Sequence, residues 1–241
     1  MDGLLIRVGA DLSRGGGSWN GPIDGQSRRF VYVAIPEAAP LYAGMEKRFS
    51  ELQPALSRFG VDLPGAFLSL HMHLDPDFNH LTYGDQGERA IQLNKNLSQG
   101  DFIVFYAGLA DVRTKGRLVY AIIGLFVVEG MLLATDVPPK DRDINAHSRR
   151  VLKAGATDVI LRARPGVSGR LARCIPIGEY RERAYRVRRD VLAAWGGLSV
   201  KDGYLQRSAR LPRFLDSRRF LKWFEAQEPV LLRSNNEDIS A

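Results

Sequence analysis

Two apolar segments joined by a short polar stretch constrain the fold of this chain more than any other feature. Residues 102–108 and 118–129 are rich in β-branched and aromatic side chains, and residues 113–117 between them are mostly polar. Runs of this length and composition on either side of a polar turn predict two antiparallel neighbours in one sheet. Gly124 lies within the second segment and indicates a bulge or a tight bend in a curved sheet.

Shorter patterns along the rest of the chain predict both strands and helices. Segments rich in β-branched or aromatic residues predict strands, whereas apolar residues at three- and four-residue spacing predict amphipathic helices. The predicted fold class is therefore α+β, with a mixed, strongly curved β-sheet and flanking helices. The expected strands are 4–8, 30–35, 66–72 and 159–163, and the expected helices are 45–59, 86–97, 148–154, 179–195 and 216–226.

Nothing in the sequence divides the chain into separate units. We find no internal repeat and no clear linker, so residues 1–233 are expected to form a single α+β domain with a basic C-terminal third. The last residues, 234–241, are polar, and we expect them to be frayed.

Composition indicates a globular protein of the cytoplasm. The chain is 45% hydrophobic and 25% charged, and none of its apolar runs approaches the roughly 18–20 residues of a membrane span. The N-terminus lacks the basic region and the long apolar stretch of a signal peptide. The single cysteine, Cys174, cannot form an internal disulfide, and apolar Ile175 beside it favours a buried residue over a nucleophile. We therefore expect a cytoplasmic location and no membrane partner.

Arginine is dense in the last third of the chain. The whole chain carries a formal net charge of +7. Arginine suits phosphate and stacks on aromatic rings, which occur here at Tyr180 and Tyr185. This pattern favours nucleic acid, with DNA as the first choice, or a nucleotide as the partner. The alternative is a solvated helix face whose arginines pair with Glu179, Glu182 and Asp190. The residues expected to contact nucleic acid are Arg181, Arg183, Arg186, Arg188 and Arg189.

Two of the four histidines lie in one short segment, residues 70–77, just after an apolar run. A histidine beside a carboxylate can act as a general acid or base, because the carboxylate orients the ring. The same groups permit a metal site, which we favour less, since His and Asp at a strand end often serve only the turn. A structural or ligand-recognition role is the third alternative. The residues expected to act in catalysis are His73, Asp75, Asp77 and His147, and no metal ligand or cofactor is assigned.

A glycine-rich stretch, residues 11–25, follows the first predicted strand. Successive glycines let the backbone approach a ligand closely, while a tryptophan offers a stacking surface and an asparagine offers an amide. The stretch is not a phosphate-binding P-loop, because no Gly-Lys-Ser/Thr follows. A flexible hairpin connection is the alternative to a binding loop. The residues expected to contact a substrate here are Arg7, Asp11, Gly16, Trp19 and Asn20.

Four short motifs follow this loop in order. They are His73-Leu74-Asp75-Pro76-Asp77, Gly84-Asp85-Gln86-Gly87, Gly100-Asp101 with its aromatic-rich strand, and Asn145-Ala146-His147. With the loop, this order resembles the nucleotide modification associated domain family, third type, over roughly residues 3–220. The resemblance implies a setting of modified bases in DNA, with modification enzymes as candidate partners. It also places Gln86 and Asn145 among the substrate-binding residues.

A second resemblance, over residues 100–128, is to the PUA-like barrels that include base-reading domains. It implies a PUA-like barrel core as the alternative to an open curved sheet. Three functions therefore stay open. The first is a protein that recognises and modifies a nucleobase or nucleotide in DNA. The others are a non-catalytic reader of modified bases and an enzyme that acts on free nucleotides.

Overall fold

A mixed β-sheet of eight strands lies at the centre of the computed structural model, which describes residues 1–13, 16–205 and 209–237. Two further pairs of short strands lie outside this sheet. Numbered along the described residues, the strands are β1 (Gly3–Arg7), β2 (Pro22–Ile23), β3 (Ile35–Pro36), β4 (Met72–His73), β5 (Thr82–Asp85), β6 (Phe102–Asp111), β7 (Leu118–Leu133), β8 (Val159–Ala163), β9 (Gly169–Pro176), β10 (Gly178–Arg181), β11 (Ala184–Val187) and β12 (Leu231–Leu232).

β7 is the axis of the large sheet. β6 runs antiparallel along one side of it, which confirms the predicted pairing, and β9 and β8 follow one another along its other side. β1 and β2 lie parallel to β6, β5 is antiparallel to β8, and β12 is antiparallel to β9. The mixed α+β class is therefore confirmed. The pairings among the described residues leave the sheet open, so the barrel that the PUA-like resemblance implies is not found there.

The predicted irregularity at Gly124 is a β-bulge. Phe105 pairs with Gly124 whereas Tyr106 pairs with Ile122, so Ile123 is the extra residue of β7. A Cβ atom on Gly124 would lie 2.5 Å from the ring of Phe78. Glycine is therefore required here to let an aromatic ring pack directly on the strand.

The helices are short. They are α1 (Gln53–Ser57), α2 (Gly87–Asn96), α3 (Ala146–Arg149), α4 (Arg189–Ala194) and α5 (Ser217–Glu225), with 3₁₀ turns at Phe49–Leu52, Gly65–Phe67, Ala134–Asp136, Pro139–Ile144 and Lys201–Gly203. α2 and α5 confirm two predictions. The helix predicted over 45–59 is a 3₁₀ turn followed by α1, because Pro54 fits only the first turn of an α-helix. Among the described residues, no helix has both the length and the apolar character that crossing a membrane would require.

Both faces of the sheet are buried. Along β6, Ile103 and Phe105 belong to one apolar core, while Val104 and Tyr106 belong to another on the opposite face. Alternate residues of a strand point to opposite faces, so one strand serves both cores. Phe220 and Phe224 of α5 and the fully buried Trp195 cover the second face. Cys174 is buried, as predicted.

Two predicted strands are mostly irregular. Of residues 30–35, only Ile35 belongs to a strand, β3, although the segment is buried throughout most of its length. Of residues 66–72, only Met72 does, and Gly65–Phe67 is a 3₁₀ turn. An apolar run indicates that a segment is buried. It does not by itself show whether the segment is a strand paired over its whole length or an irregular segment that packs against the sheet.

The helix predicted over 179–195 is wrong over its first half. Residues 178–187 form the β10–β11 hairpin, and only Arg189–Ala194 are helical. Glu182 and Arg183, at the turn, have φ angles of 52° and 62°, the conformation of a type I′ hairpin turn. The five arginines proposed to bind nucleic acid therefore lie on a hairpin and a short helix rather than on one helix face. The helix predicted over 148–154 is likewise displaced, since α3 ends at Arg149.

A buried ion pair fastens the histidine segment to α3. Arg149 Nη2 lies 2.5 Å from Asp77 Oδ2, and both side chains are buried. Asn235 also donates a hydrogen bond to Asp77 and accepts one from the backbone N–H of Phe78. Ser234–Glu237, which we expected to be frayed, are therefore tied to the core by their hydrogen bonds, and residues 238–241 lie outside the described part of the chain.

Candidate functional site

A cleft of about 210 Å³ opens where β4, β5 and α3 meet the end of β1. Its walls combine imidazole, carboxylate and guanidinium groups with backbone from two glycines. The lining residues are Arg7, Val8, Gly9, Ile35, His73, Asp75, Tyr83, Gly84, Asp85, Gln86, Arg89, His147 and Arg150.

Three of the residues proposed for catalysis meet in this cleft. His73 ends β4, Asp75 follows it by two residues, and His147 lies on α3. The two imidazole rings are 5.0 Å apart between centroids and nearly perpendicular. One potential ligand atom from each of the three side chains lies within 4.8 Å of the others, which is close enough for the group to hold a metal ion.

Glu37 fixes the orientation of the His73 ring. Its Oε2 lies 2.7 Å from His73 Nδ1, and Arg150 grips the same carboxylate with Nε and Nη2. Burial raises the pKa of Glu37, but hydrogen bonds from His73 and Arg150 outweigh it and bring the pKa to about 2. Glu37 is therefore an ionised acceptor, so Nδ1 of His73 carries the proton. Arg150 Nη2 also lies 3.1 Å from His73 Nδ1. Both nitrogens are donors, and they are close because both bind the carboxylate of Glu37.

His73 is neutral at physiological pH. Burial lowers its pKa to about 4, and the neighbouring His147 and Arg150 act in the same direction, against the hydrogen bond to Glu37. With its proton on Nδ1, the ring presents the lone pair of Nε2 on its other side.

Asp158 holds His147 in the same way. Its Oδ1 lies 2.6 Å from Nδ1 of the ring, and this hydrogen bond lowers the pKa of Asp158. The carboxylate is thus an acceptor, and Nδ1 of His147 is the donor. The other ring nitrogen, Nε2, faces Asp75 Oδ2 at 3.9 Å.

One oxygen of the Asp75 carboxylate accepts two hydrogen bonds, and the other oxygen, Oδ2, faces His147. The backbone N–H of Gly84 and the amide of Asn145 donate to Oδ1 at 2.8 and 2.9 Å. Burial raises the pKa of Asp75 to about 6, despite the opposing effects of His147 and of these two donors. A carboxylate with such a pKa can exchange a proton near neutral pH, as general acid/base catalysis requires.

Asn145 connects Asp75 to His147. Its side-chain Oδ1 accepts from the backbone N–H of His147 at 2.9 Å and so caps the N-terminus of α3. The amide nitrogen donates to Asp75 and, at 3.3 Å, to Thr82 Oγ1. One fully buried side chain therefore sets both the start of α3 and the position of the carboxylate.

Ion pairs lie around His73, Asp75 and His147. Arg89 Nε lies 2.6 Å from Asp85 Oδ2, and Arg7 Nη2 lies 3.0 Å from Asp11 Oδ2. Arg7 also donates to the hydroxyl of Tyr120, but its buried Nε has no hydrogen-bond partner among the described residues. Because a buried donor is normally satisfied, this nitrogen is a candidate contact for a ligand or a water.

The fourth residue proposed for catalysis, Asp77, does not line the cleft. It accepts from Arg149 and His80 and from the amide of Asn235, with its side chain only 1% exposed. These contacts give it a role in holding the segment in place.

The residues proposed to bind substrate divide into three groups. Arg7 and Gln86 line the cleft, and Asn145 and Asp11 hold residues that do. Gly16 lies against Asp11, which a side chain at position 16 would displace. Outside the lining, Trp19 packs against Phe67, and the Asn20 amide donates to the carbonyl of Gly108. Arg14 and Gly15 of the glycine-rich loop lie outside the described residues.

The arginines proposed to bind nucleic acid are partly engaged within the protein. Arg181 pairs with Glu179 and Asp202, and Arg186 pairs with Glu182 and Asp202. Arg183, Arg188 and Arg189 are exposed, although Arg188 also pairs with Asp190 at 3.5 Å.

Sequence reasoning missed the residues that orient the histidines. Glu37 and Asp158 are 36 and 11 residues away from their partners, and no spacing rule connects them. Arg89 follows Asp85 by four residues at the start of a helix, a spacing that could have indicated the pair. Gly84 within a strand pattern could have indicated a close approach of another group.

Replacing Gly84 by alanine tests the close approach of α3 to β5. The new Cβ would lie 2.4 Å from His147 Cδ2 and 2.7 Å from Asn145 Oδ1. We expect Gly84→Ala to lower the free energy of unfolding in urea by about 1–3 kcal/mol, the range for overpacking. The matched control is Gly130→Ala in β7, where a Cβ meets nothing within 4 Å. Equal stability of the two variants would contradict this packing.

A comparison with known proteins agrees with the family resemblance that the order of the motifs indicates. The family model for nucleotide modification associated domain 3 matches residues 3–220 of the 241-residue chain. Neither the curated proteins nor the solved structures contain a match. The matched stretch includes His73, Asp75, Asn145 and His147, and it covers most of the chain. The chain therefore belongs to the nucleotide modification associated domain 3 family.

Proposed function

We propose that this protein recognises and chemically modifies a nucleobase or nucleotide of DNA in the cleft between β4, β5 and α3. The observation that carries the proposal is the meeting of His73, Asp75 and His147 beside Arg7 and Arg89 in one cleft. A family associated with nucleotide modification supplies the substrate class.

The size of the cleft favours one part of a nucleotide. Sites that bury a whole small-molecule ligand usually measure roughly 300–1,000 Å³, whereas this cleft measures about 210 Å³. A base turned out of its stack, or a single phosphate, fits such a volume better than a dinucleotide does. We assign the reacting part of the substrate to the side with His73, Asp75 and His147.

In this proposal the histidines and Asp75 divide the proton transfers. His73 is neutral at pH 7 and can accept a proton through Nε2, while Asp75, with a pKa of about 6, can hold or release one. Glu37 and Asp158 act as positioning residues. Each carboxylate binds Nδ1 of one ring and so orients it, and neither residue lines the cleft.

The glycine-rich loop acts on the cleft through Arg7 in this proposal. Asp11 accepts from Arg7 and from the backbone N–H of Ser13, so the loop conformation and the guanidinium position are coupled. The buried Nε of Arg7 is the donor that we assign to a phosphate or to a carbonyl oxygen of the base. Trp19 and Asn20 remain proposed contacts for parts of the substrate outside the cleft.

Nucleoside analysis tests the proposed modification. Total DNA, total RNA and free nucleotides from cells with and without the protein would be analysed by mass spectrometry. We expect one nucleoside to change with the wild-type protein and with His71→Ala, whose side chain lies outside the cleft lining. His73→Ala should abolish the change, because it removes a proton acceptor.

Each outcome of that analysis separates the alternatives. A change confined to free nucleotides would favour the enzyme of free nucleotides over one that acts on DNA. An unchanged profile in all three fractions would contradict modification, and retained DNA binding would then favour the reader of modified bases.

Salt dependence tests the proposed DNA contact by the exposed arginines. Fluorescence anisotropy of labelled DNA would be measured over a range of salt concentrations, for the wild type and for the triple variant Arg183→Gln, Arg188→Gln, Arg189→Gln. We expect the slope of log affinity against log salt to fall by about 1 for each phosphate contact removed. The charge-matched control replaces exposed Lys115, Lys140 and Lys153 by glutamine. An equal effect of the control would contradict a local contact.

A further inference from the structure

One potential ligand atom from each of His73, Asp75 and His147 lies within 4.8 Å of the others in the cleft. Each ring donates its Nδ1–H to a carboxylate, Glu37 for His73 and Asp158 for His147, so Nε2 of the neutral ring is the nitrogen that carries the lone pair. Oδ2 of Asp75 is the third acceptor, since both donors to this side chain bind Oδ1. Acceptors that converge without a donor between them repel one another. A cation at their centre removes this repulsion.

We propose that His73 Nε2, His147 Nε2 and Asp75 Oδ2 bind one divalent first-row transition-metal ion. Neutral imidazole and carboxylate are ligands that such ions prefer, and two histidines with one carboxylate form a ligand set that leaves positions open for water or substrate. The 3.9 Å between His147 Nε2 and Asp75 Oδ2 is compatible with one ion between them, because two ligands at about 2.0–2.2 Å from a metal can be up to about 4.4 Å apart.

The surroundings of the histidines support a metal more than a structural role. Metal-binding histidines generally donate their second ring nitrogen to a carboxylate or a carbonyl, which fixes the tautomer and the ring orientation. Here both rings do so, through Glu37 at 2.7 Å and Asp158 at 2.6 Å. Arg150 holds Glu37 in turn, so the support extends to a second layer.

The sequence alone favours acid/base catalysis over a metal, and a bound ion would occupy the same Nε2 and Oδ2 atoms that the proposed proton transfers use. A metal at this position would face the cleft with its open coordination positions, where it could polarise a phosphate or activate a water. The assignment does not depend on the proposed nucleotide substrate, because metal uptake can be measured in the absence of any nucleotide.

Isothermal titration calorimetry of the full chain tests the site. Protein freed of metal by a chelator would be titrated separately with Zn²⁺, Mn²⁺ and, under anaerobic conditions, Fe²⁺. We expect at least one of these ions to bind at one per chain. Asp75→Asn should weaken that binding about 100-fold or more, beyond the effect of an outer-shell change, because it removes the negative charge of a direct ligand and replaces one carboxylate oxygen by NH2. Asp158→Asn should weaken it about 10–100-fold, as loss of the partner of a ligand histidine does elsewhere.

Controls keep this test independent of folding. His71→Ala removes a histidine outside the cleft and should leave the affinity unchanged. Circular dichroism and the urea midpoint show which variants are folded, and Asp75→Asn and Asp158→Asn are near-isosteric replacements. Absence of one-to-one uptake for all three ions would overturn the proposal, as would equal uptake by folded Asp75→Asn. Uptake with an unchanged nucleoside profile would overturn only the proposed function.

Discussion

The site depends on the position of Asn145. This buried side chain accepts from the N–H of His147 and donates to Asp75, so it fixes the start of α3 relative to the segment that follows β4. Gly84 makes the arrangement possible, because any side chain there would meet the His147 ring. The buried pair between Asp77 and Arg149 fastens the same two segments a short distance away. Removing one partner of such a pair typically costs about 3–5 kcal/mol, because the other charge is then left buried and unpaired.

The sequence predicted the parts of this structure that local patterns determine. The antiparallel pairing of β6 with β7, the bulge beside Gly124 and the helix α2 follow from composition and spacing. His73, Asp75 and His147 are indicated as candidate site residues by the small number of histidines and by the carboxylates or amides beside them. Patterns failed where tertiary packing decides. An apolar stretch such as 66–72 is buried without pairing over its length, and arginines at 181–189 fit a hairpin as well as they fit a helix.

The partners of the histidines could not be predicted for a similar reason. Glu37 and Asp158 are distant from the histidines in sequence, and only the fold brings them next to the rings. Their hydrogen bonds determine which nitrogen of each neutral ring carries the proton. The sequence alone favours an acid or base over a metal ligand and leaves both open. Once the two carboxylates are placed, the same atoms face the cleft as acceptors, and both proposed roles use those atoms. Proton transfer and metal binding are therefore competing uses of one arrangement, set within a family associated with nucleotide modification.

Both imidazole rings of the cleft are oriented by an Nδ1–H that points to a carboxylate, which leaves Nε2 of the neutral ring for the cleft. Long-range ¹H–¹⁵N NMR of the imidazole groups in metal-free protein measures this directly, and a chain with four histidines gives few signals to assign. We expect the Nδ1–H tautomer for His73 and His147, with shifts that disappear in the corresponding alanine variants. The Nε2–H tautomer of either neutral ring would contradict this arrangement, because the three acceptors would then no longer converge.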